Sequence, residues 1–266
     1  MDYYQKIEEH MSTYKKEKFP TLTGMSFFGR REGNILPSIC GNLNLLETYR
    51  NEFLENDLSN IHFQSYFHSL DYPQAMCINF FFPLIMEEKL EIILQTLGFD
   101  DEKVKFVTFE KVSDIDNKPG QRATKFDFYF ETVSNKKFYF DIKYAFEFFG
   151  FPKNKEFRNK YEQFYEKAAE SPLKKEWNTC EKFLDNYHIM INLVHLSDDS
   201  YIVFVVPEKN EKAYKQAREA EDMVIEKYKN NVKVLTWDKL YDVVEEQNFT
   251  GKLKTHFDEF KKKYKL

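Results

Sequence analysis

Residues 125–143 read KFDFYFETVSNKKFYFDIK, two short runs in which aromatic and polar side chains alternate on either side of a polar turn. A period of two is the mark of a strand with one face against a core and the other carrying polar groups. In the first run Phe126, Phe128 and Phe130 fall on one face, and Asp127, Tyr129 and Glu131 on the other. In the second, Phe140 and Ile142 oppose Asp141 and Lys143. Joined as a hairpin through Ser134, Asn135 and Lys136, the runs set Asp127 roughly opposite Lys143 and diagonal to Asp141. Two carboxylates and an ammonium then share one face of a sheet whose other face is apolar. That apolar face needs further elements to cover it.

The rest of the chain supplies them. Pro73 opens a helical pattern over residues 73–98, with Gly98 as its stop and Pro83 predicting a kink or a break into two helices. Three β-like runs follow at residues 104–112, 125–133 and 137–146. Residues 155–170 read as a polar helix ended by Pro172, and residues 173–196 as one long amphipathic helix. The run YIVFVVP (201–207) has the continuous apolar character of a strand buried on both faces. A helix over 211–229, a short strand VKVLT (232–236) and two closing helices complete the chain. Upstream, residues 1–20 form a charged helix or arm, residues 26–40 a Gly- and Pro-punctuated loop, and residues 41–56 a short helix. Three sequential strands and a helical crossover to a fourth imply an α/β fold with a mixed sheet flanked by helices. The simplest division is an N-terminal elaboration at 1–60 and one domain at 61–266.

At 266 residues, 42% hydrophobic and 31% charged, the chain has the composition of a folded globular protein. The net charge of −5 gives no global attraction to a polyanion, yet carboxylates that bind cations count against that total until the cations arrive. The three cysteines, Cys40, Cys77 and Cys180, lie far apart without metal-site spacing. The first twenty residues lack the apolar core of a secretion signal, and no apolar run reaches membrane-spanning length. A reducing cytoplasm is the expected location.

Hydrolysis of a phosphodiester needs an activated water, shielding of the phosphate charge and stabilisation of the leaving oxygen, all within reach of Mg²⁺ held by carboxylates. Asp127 and Asp141 are the candidate ligands, with the carbonyl of Ile142 as a third. Lys143 would orient or deprotonate the attacking water, or stabilise charge developing on the phosphate.

Asp127, a gap of thirteen residues, and then Asp141-Ile142-Lys143 resembles the motif of the PD-(D/E)XK nuclease superfamily. That resemblance implies a restriction-endonuclease-like core of helix, three-strand meander, helix and strand, here with N- and C-terminal helical additions. Lys143-Tyr144, Glu147 and Phe149-Gly150 are similar to the "KY…E…FG" continuation in a group of bacterial restriction-endonuclease-like proteins. Gln74-Ala75, Asn79-Phe80 and Pro83-Leu84 resemble that group's "QA…NLF.PL" helix. Tyr187 and Asn192 resemble its "YQ…RN" helix, and Thr236-Trp237 its last strand-to-helix turn. The likeness spans roughly residues 60–245. It departs at Phe126, where the nominal motif has proline, at Asp141, where glutamate is more usual, and at His188 and Ile191, where glutamine and arginine are expected.

The resemblance implies a Mg²⁺-dependent DNA endonuclease of restriction, defence or repair, with Mn²⁺ as a possible substitute ion and a homodimer as a candidate assembly. Two other readings stay open: a structure-specific or RNA-directed nuclease of the same fold, and a nucleic-acid-binding or scaffold protein with a degenerate site. The basic cluster Lys153, Lys155, Arg158 and Lys160, interleaved with Phe157 and Tyr161, is the candidate DNA contact. The clusters at Lys15-Lys16-Lys18, Arg30-Arg31 and Lys261-Lys262-Lys263 read as solvated faces. Glu110 reads as a solvent-facing charge, and Gln74, Glu87, Glu88 and Glu147 as further polar candidates. His62 and His68 read as loop residues, and His188 and His195 as partly buried and satisfied. Trp177 and Trp237 read as core.

Overall fold

The computed structural model of the chain describes residues 2–22, 33–118, 123–145, 149 and 155–264. In chain order the elements are α1 (Tyr3–Lys18), α2 (Glu47–Glu55), α3 (Pro73–Met86), α4 (Glu91–Thr96), β1 (Val104–Val112), β2 (Lys125–Thr132) and β3 (Lys137–Ile142). Then follow α5 (Lys155–Lys160), α6 (Glu166–Ala169), α7 (Cys180–Asp185), α8 (Tyr187–Leu193), β4 (Ser200–Val206), α9 (Glu211–Met223), β5 (Val232–Thr236), α10 (Trp237–Glu246) and α11 (Gly251–Tyr264). The expected order of helix, three strands, helix, strand is present. The backbone divides into two compact units, one of residues 1–100, 142–145 and 237–266, the other of residues 101–141 and 146–236.

The first unit is helical. Its central element, α3, is apolar all round and buried from Pro73 to Leu84, as a helix at the centre of a core must be. The 73–98 pattern divides into two helices, α3 and α4, as one of the two expected outcomes had it, but the break falls after Met86, three residues beyond Pro83. A proline lacks the N–H that would bond the carbonyl four residues back, here that of Asn79. His256 of α11 replaces that donor, with Nε2 2.6 Å from the Asn79 oxygen. The chain turns beyond α3 at Glu88 (φ 54°) and beyond α4 at Gly98 (φ 87°). Phe80 meets Trp237 at 5.4 Å and Phe260 at 5.5 Å between ring centroids.

Two lysines of clusters read as solvated are buried in this unit. Lys15 is 3% exposed and donates to the carbonyl of Ile35. Lys263 is 1% exposed and donates to both the carbonyl and Oδ1 of Asn44. The spacing explains Lys263: it lies on the face of α11 that carries His256, Phe257 and Phe260.

The second unit holds the sheet, in the order β1-β2-β3-β4-β5. β1 and β2 pair antiparallel, as do β2 and β3, whereas β4 and β5 are parallel; the sheet is mixed, as expected. β4 is buried on both faces, with Ile202 to Val206 fully enclosed. Tyr129, Tyr139, Ile202 and Phe204 pack in one core with Ile189, Met190 and Leu193 of α8 and with Ala213, Ala217 and Ala220 of α9. Alanine at that spacing lets α9 approach closely.

Residues 173–196 are not one helix. The Thr179 hydroxyl accepts from the Lys182 N–H to start α7, and Asn186 separates α7 from α8; Thr and Asn cap by replacing backbone partners at helix ends. Between α5 and α6 a π-helical turn, Tyr161–Tyr165, widens the helix and buries Tyr161, Phe164 and Tyr165. No helix among the described residues is long and apolar enough to cross a membrane.

Candidate active site

The β2–β3 hairpin has the pairs Phe128↔Phe140, Tyr129↔Tyr139, Phe130↔Phe138 and Glu131↔Lys137. Its last pair, Glu131↔Lys137, leaves a connection of residues 132–136, with Asn135 at φ 66°, two residues longer than the Ser134-Asn135-Lys136 turn read from the sequence. The lengthened turn shifts the register by two. Phe128↔Phe140 is the last paired level before the two aspartates, Asp127 preceding Phe128 on β2 and Asp141 following Phe140 on β3. Because the shift is even, Phe128 to Glu131 keep their faces and change only partners.

Strict alternation does not persist along β2. Phe128 packs with Phe109, Phe130 and Phe140, whereas Phe126 packs with Tyr139 at 4.7 Å and with His195 at 4.9 Å. Phe126 therefore leaves the face of Phe128 and Phe130 on which the sequence set it. Its partner Lys111 likewise lies over the ring of Tyr129, on the side opposite Phe109. The face changes between Phe109↔Phe128 and Lys111↔Phe126, the level of Glu110 and Asp127. Glu110 has φ 52°, a left-handed backbone uncommon for a residue with a side chain. Its carboxylate is no solvent-facing charge: Glu110 is 6% exposed and lies 3.6 Å from the Lys125 ammonium.

Asp127 and Asp141 are both half-buried. The amide nitrogen of Asn192, a buried residue of α8, donates to Asp141 Oδ2 at 2.5 Å and to the His188 carbonyl at 2.8 Å. Lys143 follows the end of β3 by one residue and belongs to the helical unit, where the indole N–H of Trp237 donates to its carbonyl at 2.9 Å. Tyr144 is fully buried and donates to the carbonyl of Tyr264. The carboxylates of Asp127 and Asp141 are hard oxygen donors of the kind Mg²⁺ prefers, and Mg²⁺ commonly takes only one or two carboxylates with waters filling the remainder. The described residues hold no group of three His, Cys, Asp or Glu side chains placed to share an ion.

The basic cluster divides. Lys153 lies outside the described residues, Lys155 opens α5, and Arg158 is exposed. Lys160 turns inward, its ammonium 2.5 Å from Oδ2 of Asp116. The same oxygen accepts from the Thr124 N–H and hydroxyl at 2.9 Å and from the Tyr165 hydroxyl at 2.6 Å. Burial alone would raise the Asp116 pKa, but the Lys160, Tyr165, Ser113 and Thr124 bonds prevail and hold it at about 2. Nothing in the sequence marked Asp116, since it sits in a loop without periodicity.

The other candidates have structural partners. Gln74 bridges Gln64 and His62, and Glu87 accepts from the Tyr49 hydroxyl. Glu147 lies outside the described residues. His62 and His68 are in loops; His68 is buried. His195 bonds Ser113 Oγ through Nε2 at 2.8 Å, and burial pushes its pKa down to about 4. Trp237 is fully buried and Trp177 half-buried beneath Lys182.

Comparison with family models matches residues 7–265 to the one described as "Restriction Endonuclease associating with ARP". Neither the curated proteins nor the solved structures gave a match.

Proposed function

The chain belongs to the family of restriction endonucleases associating with ARP, and from that premise we propose that it is a cytoplasmic, Mg²⁺-dependent endonuclease that hydrolyses DNA at a PD-(D/E)XK-type site. Asp127 and Asp141 hold the ion, with the Ile142 carbonyl as a third donor. A bound Mg²⁺ would supply an acidified water and neutralise charge on the phosphate. Lys143, two residues after Asp141 in the chain, orients that water and takes its proton, or faces the charge that builds on the phosphate oxygens. Exposed Arg158 of α5 contacts the DNA backbone. ARP, which the family's name carries, is the partner proposed for this chain. Cutting both strands calls for two sites, which a homodimer would provide. The free thiols of Cys40, Cys77 and Cys180 agree with a reducing compartment.

What supports this reading is the family match over residues 7–265, together with Asp127 and Asp141 lying on the adjacent strands of the β2–β3 hairpin. The test is incubation of purified protein with plasmid DNA, single-stranded DNA and RNA, each with Mg²⁺ or Mn²⁺. Wild type should cut DNA, while Asp127→Ala, Asp141→Ala and Lys143→Ala should not. Cleavage that survives Asp141→Ala would overturn the site. Wild type that retains DNA without cutting it would move the reading to a binding protein.

A further inference from the structure

Asn192 is 2% exposed in α8, and no role in the reaction falls to it so far. Its amide nitrogen has two hydrogens, and both have acceptors: the Asp141 carboxylate at 2.5 Å and the carbonyl of His188 one turn earlier at 2.8 Å. A carbonyl can only accept, so the group facing His188 must be the NH₂ end of the side chain. The same choice aims the second hydrogen at Asp141 Oδ2. Burial within the α8 core and the tether to His188 leave the side chain little freedom to turn away. Asn192 is thus a fixed donor held against one named oxygen of a carboxylate.

That geometry has a consequence for a cation. A carboxylate at a strand end turns freely about its last bond, and an ion must then order it on binding. Holding Oδ2 in place removes that cost. The neutral amide does this without adding charge, whereas a lysine there would compete with the ion. From these contacts we infer that Asn192 is a positioning residue, presetting Asp141 to receive a divalent cation. The inference rests on the reading of Asp127 and Asp141 as cation ligands.

The test is titration of the full chain with Mn²⁺ alone, following the electron paramagnetic resonance of free Mn²⁺. It compares wild type, Asp141→Ala, Asn192→Leu and Asn192→Ala. Leucine keeps the branching and heavy-atom count of asparagine and removes the donor, though it is bulkier; alanine removes the donor without adding bulk. Thermal unfolding without metal checks that each variant is folded. Asp141→Ala should lose the site, and either folded Asn192 variant should weaken Mn²⁺ binding by about 10- to 100-fold, the usual effect of removing a group that orients a ligand. An Asn192 variant that binds like wild type while Asp141→Ala does not would overturn the positioning role and leave the ligand reading intact. Asp141→Ala binding Mn²⁺ as tightly as wild type would overturn the ligand reading, and the inference with it.

Discussion

The ammonium of Lys160 lies 2.5 Å from Oδ2 of Asp116, a side chain with no exposure to solvent. It ties α5 to the loop between β1 and β2, 44 residues earlier in the chain. Removing one member of a buried pair strands the other charge, at a cost of roughly 3–5 kcal/mol. Lys160→Met should therefore lower the urea midpoint strongly, and Asp116→Asn in the same chain should recover part of the loss. Equal effects for the single and double variants would show that the pair is not coupled.

A cation that joins Asp127 and Asp141 stabilises the folded chain by mass action. The melting temperature of wild type should rise when millimolar Mg²⁺ replaces EDTA. Asp127→Asn and Asp141→Asn should show no such rise, while the near-isosteric amides should leave stability in EDTA close to that of wild type. Differential scanning fluorimetry reads both effects. An undiminished Mg²⁺ shift in both variants would place the ion elsewhere.

His195 in the sheet unit and His256 in the helical unit are each held by burial at about 4, against an ordinary 6.5. In each case the unfolded chain takes up the proton first. The stabilisation is complete above pH ~6.5 and is lost as pH falls toward ~4, on the order of 3 kcal/mol per histidine. Urea midpoints taken from pH 7 to pH 4.5 should fall steeply for wild type. His195→Gln and His256→Gln, though weaker at pH 7, should each flatten the slope.

Of the three consecutive lysines near the end of α11, Lys261 is exposed and Lys263 is buried on Asn44. Lys263→Ala removes the ammonium bonds to Oδ1 and the carbonyl of the fully buried Asn44, the carbonyl keeping only its bond from the Asn79 amide, and should cost roughly 1–3 kcal/mol. Lys261→Ala should stay within about 0.5 kcal/mol of wild type. Chemical denaturation of the two variants side by side decides it.

The strands were legible because each is short and patterned: β2 and β3 from alternation, β4 from its unbroken apolar run. What failed was set by distant partners. The passage of α3 through Pro83 depends on His256, 177 positions away. The donor to Asp141 comes from Asn192, 51 positions on, and its likeness to a family helix said nothing of what it touches. The hairpin partners shifted because a connection of 132–136, two residues longer, keeps the same alternation as the shorter one. Glu110 looked like an ordinary strand-end acid because a left-handed backbone leaves no trace in side-chain pattern. Asp127 and Asp141 lie on the expected strands, β2 and β3.

The helical unit draws its chain from both sides of the sheet unit: residues 1–100 before it, 237–266 after it. Synthesis proceeds from the N-terminus, and compact units fold as they emerge. Residues 101–236 are complete while α10 and α11 are still unmade, and Trp237, His256 and Lys263 are still missing from the helical core. Asn79 then has no His256, and Asn44 no Lys263. On the ribosome the sheet that carries Asp127 and Asp141 is finished before the unit that contains Lys143, so the two aspartates are in place before that lysine is anchored.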